Sequence, residues 1–222
     1  MVTPESTRSV TVLDLVAVIY SAGKVFDGLS TGRLDTLEFI RSGSVAGVSS
    51  RADLALLEDL RDAAQQVVVH AGERVTPELI RSINASMTRS GALHPGEFRT
   101  AEQAIGVSTP YGRYTPPAVD AAMLAEIIEE CLRGRDAIDE AIGLFIDLAS
   151  AQPFEDGNKR TALFTANAAL LARGAPVLLT VPLDDEDPEV ARQFNDLLAR
   201  AYIFGERDGL VLLMKELGVI NR

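Results

Sequence analysis

The chain has 222 residues, 47% of them hydrophobic and 24% charged, with a formal net charge of −11. That length can bury a sizeable core, and that composition excludes wholesale disorder. The acidity disfavours phosphate backbones and anionic lipid as partners unless cations cluster locally. One cysteine and two histidines leave no internal disulfide and no credible zinc site.

In chain order, residues 1–10 are polar and read as loose. Residues 12–22 read as a short apolar helix, and DTLEFI (35–40) as a second, ending in the small-residue run SGSVAGVSS (42–50). Ser50 or Asp53 can cap the next helix, with Leu54, Leu57, Leu60 and Ala64 on its apolar positions. Thr76, Pro77 and Glu78 start another that is predicted to reach about Arg89. Between 90 and 117 the helical period disappears, and YGR (111–113) suggests a short hairpin turn. Leu124, Ile127, Ile128, Cys131 and Leu132 then define one buried helix face, which makes Cys131 a core residue. A further helix is predicted over 136–149. LFTANAALLARG (163–174) has no polar face, so it belongs in the centre of a bundle, with Gly174 as its C-cap. VLLTV reads as extended, DDEDPEV opens a long helix, and a short helix is predicted to end the chain. No apolar run reaches membrane-spanning length and no signal peptide is legible, so the reading is a cytoplasmic, mainly α protein.

AQPFEDGNKRTA (151–162) carries the chemistry. Gly157 permits a tight turn and close approach to a ligand. The first N–H groups of the following helix lack intrahelical partners and carry the positive dipole end, and Lys159 and Arg160 add full charges. Asp156 would repel a phosphate held there unless a hard cation bridged the two, a role that suits Mg²⁺. The same residues also fit an ordinary capped helix, with Asp156 as the cap and solvated cations.

The string QPFEDGNKRTA resembles the signature of the Fic/Doc (Fido) family, HxFx(D/E)(G/A)N(G/K)R, and LHPGEFRT (93–100) is similar to its upstream PGxxR segment. The resemblance implies an all-α, Fic-like helical bundle with a short β-hairpin flap. It implies residues 1–50 as a helical extension packed on the core and 51–222 as the Fido domain. It implies Mg²⁺ on Asp156, phosphate contacts from the backbone of Gly157 and Asn158 and from the Asn158 side chain, with Lys159 and Arg160 alongside, and Phe154 as a buried anchor. The activity implied is transfer of AMP, or of phosphate in the Doc branch, from ATP to a protein hydroxyl, with the target docking on the 107–117 flap; a homodimer is left open. Three positions depart from the pattern. The family's general-base His is here Gln152, a carboxamide with no usable basicity near neutral pH. A second Arg found in many relatives is Leu163. SGSVAGV (42–48) faintly resembles an inhibitory motif, S-x-x-x-E-G, but its glutamate falls on Ala46. Leu163 and Ala46 together imply that this form of autoinhibition is lost. His94 reads as a loop residue with structural hydrogen bonds, replacement of the lost base being the alternative; His70 reads as a helix-end residue.

Overall fold

The structure, a computed structural model, describes residues 9–91, 93–103 and 105–222. Residues 1–8, read from the sequence as loose, lie outside the described residues. A 3₁₀ turn (Val12–Leu15) leads into α1 (Val16–Asp27), followed by α2 (Arg33–Ser42), α3 (Arg51–Val69) and α4 (Pro77–Ala85). A hairpin, β1 (Val107–Thr109) and β2 (Gly112–Tyr114), precedes α5 (Ala121–Cys131), α6 (Ala137–Ala151) and α7 (Asn158–Ala172). Then come β3 (Val177–Leu179), α8 (Pro188–Phe204), α9 (Asp208–Leu213), a π-turn (Met214–Gly218) and β4 (Val219–Asn221). This is the helical architecture expected, hairpin included.

The helix starts follow capping chemistry. Ser50 Oγ accepts from Asp53 N–H, Thr76 Oγ1 from Leu79 N–H, and the carboxylates of Asp120, Asp136 and Asp187 take the first donors of α5, α6 and α8. Ser50, rather than Asp53, caps α3. The Asp53 carboxylate instead accepts from the Thr31 N–H and hydroxyl, both at 2.6 Å, and so fixes the loop between α1 and α2.

Helix α7 is buried on every side from Arg160 to Leu171 and packs on α1, α3, α4 and α6. Its lack of a polar face is the reason: only a position enclosed by other helices satisfies such a sequence. One hydrophobic core runs from Leu15 through Phe39, Phe145 and Phe164 to Met214, so the N-terminal helices share it with the rest.

Three expectations differ. Helix α4 stops at Ala85 rather than near Arg89, because the buried Asp59 carboxylate draws the N–H groups of Thr88, Arg89 and Ser90 out of the helical path. The chain ends in a strand, not a helix: β4 pairs antiparallel with β3, Leu178 opposite Ile220. Ile127, Cys131 and Leu132 are only partly buried, and the Cys131 thiol lies 3.2 Å from Asp147 Oδ2. Burial and this carboxylate push the thiol far above its usual range.

The hairpin turns at Pro110 and Tyr111, with Thr109 opposite Gly112. It rests on α8: Tyr114 stacks on Tyr202 at 5.2 Å, and Tyr111 meets the edge of Phe204 while its hydroxyl donates to Asp196.

Within α7, the fully buried Asn167 donates to the carbonyls of Leu163 and Leu179 and accepts from Leu179 N–H. It is the polar link that attaches β3 to the central helix. Asn167→Ala strands the Leu179 backbone groups in the core and is expected to cost about 2–4 kcal/mol. A lower urea midpoint at unchanged m value would register this.

Candidate active site

The motif loop, residues 152–157, joins α6 to α7 and is held by contacts on three sides. Gln152 ends α6 in a left-handed conformation (φ 45°), the single non-glycine positive φ among the described residues. Phe154 is fully buried, forms a β-bridge with Phe98 and stacks on its ring at 5.5 Å. The Asn158 side chain closes the loop on itself, accepting from Phe154 N–H and donating to the Phe154 carbonyl, both at 2.9 Å.

Arg99 and Asn84 complete the clamp, and sequence reasoning assigned neither a task. Arg99 is buried; its Nε donates to the Gln152 carbonyl (2.6 Å) and its Nη2 to the carbonyls of Pro116 and Pro117. One guanidinium thus joins the motif loop to the end of the flap segment. Asn84, on α4, donates to Asp156 O and Thr161 Oγ1 and accepts from Gly96 N–H. The Pro-Gly pair in PGEFR was the visible sign of a fixed turn here. A Cβ on Gly96 (φ 77°) would lie 2.6 Å from the Ala85 side chain.

A cavity of about 280 Å³ opens above this loop. Gln152, Asp156, Gly157, Asn158, Lys159 and Arg160 line it, as do Gly106 and Val107 from the flap side. Six of the seven sequence-predicted residues therefore share one cavity, and the seventh, Phe154, anchors the loop from below. Two further lining residues, Phe26 and Asp27, come from the end of α1. Nothing in the motif announces them; an Asp-Gly pair at a helix end is common, and only the packing of α1 on α7 brings it here.

Arg160 is 3% exposed and is the electrostatic centre. Its Nη1 donates to Ser90 Oγ at 2.9 Å, its Nη2 lies 3.4 Å from Asp156 Oδ2, and its Nε lies 3.5 Å from Asp27 Oδ2. Ser90 donates in turn to Asp59, so the guanidinium is oriented through a relay from α3. The Gly91 backbone lies against the Asp156–Arg160 pair; a Cβ there would be 3.1 Å from Asp156 Oδ2. Lys159 Nζ sits 4.9 Å over the Phe26 ring, and burial lowers its pKa against the pull of Asp27.

Gly157 caps α7 in the left-handed region (φ 73°), and the N–H groups of Asn158, Lys159 and Arg160 have no acceptor among the described residues. With two cations alongside, they form an anion cradle. Asp156, 54% exposed at its side chain, provides one carboxylate to the cavity. A single carboxylate beside an anion cradle suits Mg²⁺ shared with phosphate oxygens. No group of three or more His, Cys, Asp or Glu able to hold a metal by itself occurs among the described residues.

The remaining predictions resolve as follows. Gln152 lines the cavity and makes no side-chain hydrogen bond among the described residues. His94 is not among the lining residues; it lies exposed with Nδ1 3.4 Å from Glu155 Oε2, which suits a loop role. His70 ends α3 and pairs with Glu73. Leu163 is core. Residues 43–48 form a largely exposed loop beyond α2, with Ala46 at the surface and none of them lining the cavity.

Residues 74–170 match the family model described as the Fic/DOC family. Solved structures agree in fold. A Fic-domain-containing signaling protein from Bacteroides thetaiotaomicron VPI-5482 superposes with a TM-score of 0.69 at 17% identity, over 91% of this chain and 81% of that one. Fic-1 from C. elegans gives 0.69 at 18% identity over 92% of this chain, which spans only 60% of that structure. Curated proteins gave no significant match. No helix among the described residues is long and apolar enough to cross a membrane.

Asp27 offers a test of the cavity's electrostatics. Burial raises its carboxyl pKa, with Arg160 pulling it down only in part. Folding therefore favours the protonated form. That contribution is fully present below the unfolded value of about 4 and is lost as pH rises through the folded value. Relative to Asp27→Asn, the wild type is expected to lose stability across that window and then level off. Paired urea titrations from pH 3 to 7 in metal-free buffer check the sign.

Proposed function

We propose that the chain is a Fic-type transferase that binds a nucleotide's phosphates with Mg²⁺ and moves AMP, or phosphate, from ATP to a protein hydroxyl. The carrying observation is the shared cavity: the Gly157–Arg160 cradle, Asp156 and the flap-side residues Gly106 and Val107 all open into it. The N–H groups of 158–160 and the Arg160 guanidinium would bind and orient phosphate oxygens. Asp156 would hold Mg²⁺, which offsets phosphate charge when bound. Arg160 enters this role already fixed by Ser90, so little reorganisation is needed. The flap, 107–117, supports the target segment so that its hydroxyl meets the phosphorus in line.

Gln152 sets the rate. It can accept a hydrogen bond from the attacking hydroxyl but cannot take its proton, and a positioned base is typically worth about 10²–10⁴-fold. A second reading follows from the same residue: a protein that retains the nucleotide cradle and a partner surface without turnover.

Gln152→His separates these readings. Histidine is among the residues that tolerate the left-handed region, so the loop can accept it. With ATP labelled at the α or the γ position and candidate targets, we expect Gln152→His to transfer label about 10²-fold or more faster than wild type, and Asp156→Ala to show none. Metal-dependent nucleotide binding in calorimetry without transfer in either wild type or Gln152→His favours the binding protein. Absence of both binding and transfer sinks the site.

A further inference from the structure

A second groove lies at the other end of helix α7, about 20 Å from the motif loop by helix rise. It has a volume of about 700 Å³ and opens between the start of α4, the outer face of α5 and the last turn of α7. Its wall is apolar: Ala125, Ile128, Leu132, Ala169 and Ala172. Into it, from α6, comes Glu140, only 4% exposed. Among the described residues, both its carboxylate oxygens are buried without a hydrogen-bond donor. The nearest cation, Arg173 Nε, lies 3.5 Å from Oε2 and makes no hydrogen bond to it. Arg173 supplies countercharge beside the carboxylate; its side chain is 44% exposed, and among the described residues its Nη2 is held only by a long 3.4 Å contact to the Arg135 carbonyl. The α5–α6 turn approaches as bare backbone: a Cβ on Gly134 would lie 3.3 Å from Glu140 Oε1.

A carboxylate with two empty, coplanar acceptors is matched by a head that presents two parallel N–H donors. Guanidinium and amidinium groups do this, as does the N1–H and amino edge of guanine. The lining charges choose between them. Arg74, Arg133 and Arg173 outnumber Glu129 and Glu140, and a second guanidinium on Glu140 would sit beside Arg173. Arg74, exposed at the mouth, has no ion pair among the described residues. We propose that this groove binds a ligand with a neutral two-donor head on Glu140 and an anionic end at Arg74, the chemistry of a guanine nucleotide. The flat base lies along the apolar wall, Arg173 turns outward to admit it, and the phosphates meet Arg74 and Arg133. The volume falls in the ordinary range for such ligands.

The test keeps this site apart from the motif cavity. Full-length wild-type protein is titrated with GDP, IDP and ADP by calorimetry in metal-free buffer, and the titrations are repeated with Arg160→Ala after its fold has been confirmed by circular dichroism. IDP lacks the amino donor and ADP lacks both donors of the pair, so the expected order of affinity is GDP, then IDP, then ADP, with at least tenfold between the first and last. Adding Glu140→Gln, nearly isosteric, should weaken GDP tenfold or more, its folding checked by circular dichroism. Adding the surface change Arg74→Ala should weaken it about threefold with no effect on folding. Equal affinities for GDP and ADP, no GDP binding at millimolar concentration, or GDP binding indifferent to both added variants overturns the proposal. So does tight binding of agmatine with none of GDP, which would mark a cation site. None of these results bears on transfer at Asp156.

Discussion

A guanidinium buried to 3% must be compensated, and the way Arg160 is compensated organises this molecule. Its three anchors come from three separate parts of the chain: Asp27 from the end of α1, Asp156 from the motif loop and Ser90 from the turn after α4. Each anchor needs its own support. Asp27 is delivered because α1 packs on α3 and α7. Ser90 is held because the buried Asp59 collects the backbone donors of residues 88–90. The cation at the mouth of α7 thus draws on the end of α1, the turn after α4 and the motif loop at once.

The loop that presents this cation is fixed by polar groups rather than by apolar packing alone. Arg99 holds Gln152 and the flap's C-terminal end through carbonyl oxygens, and Asn158 holds Phe154 through both backbone groups. The Asn158 side chain is thus committed to the shape of the loop, and the backbone N–H groups remain to meet an anion. Gln152 occupies a strained left-handed position at the rim of the cavity, where backbone strain of this kind typically amounts to about 1–3 kcal/mol. The backbone conformation at this position is fixed by the loop whatever side chain it carries.

Much of this was legible in the sequence because its signals are local. Caps at Ser50, Thr76, Asp120 and Asp136 announce helix starts, an apolar run announces a central helix, and a contiguous motif announces its own loop. What escaped depends on distant segments meeting. Phe26 and Asp27 enter the cavity only through tertiary packing, and no spacing rule links position 27 to position 160. Asp59 left a faint sign, a carboxylate among the apolar positions Leu56, Leu60 and Ala63, but its partners lie some thirty residues onward. The final strand was missed because three residues pairing across forty carry no period of their own.

The hairpin's attachment to α8 has a practical side. The chain has four tyrosines and no tryptophan. Three of the four, Tyr111, Tyr114 and Tyr202, meet where the hairpin rests on that helix. Intrinsic ultraviolet emission of the unlabelled protein therefore arises mainly at one junction, and lifting of the hairpin by an incoming polypeptide would separate the stacked phenol rings. The protein carries its own optical gauge of whether that arm is down or raised.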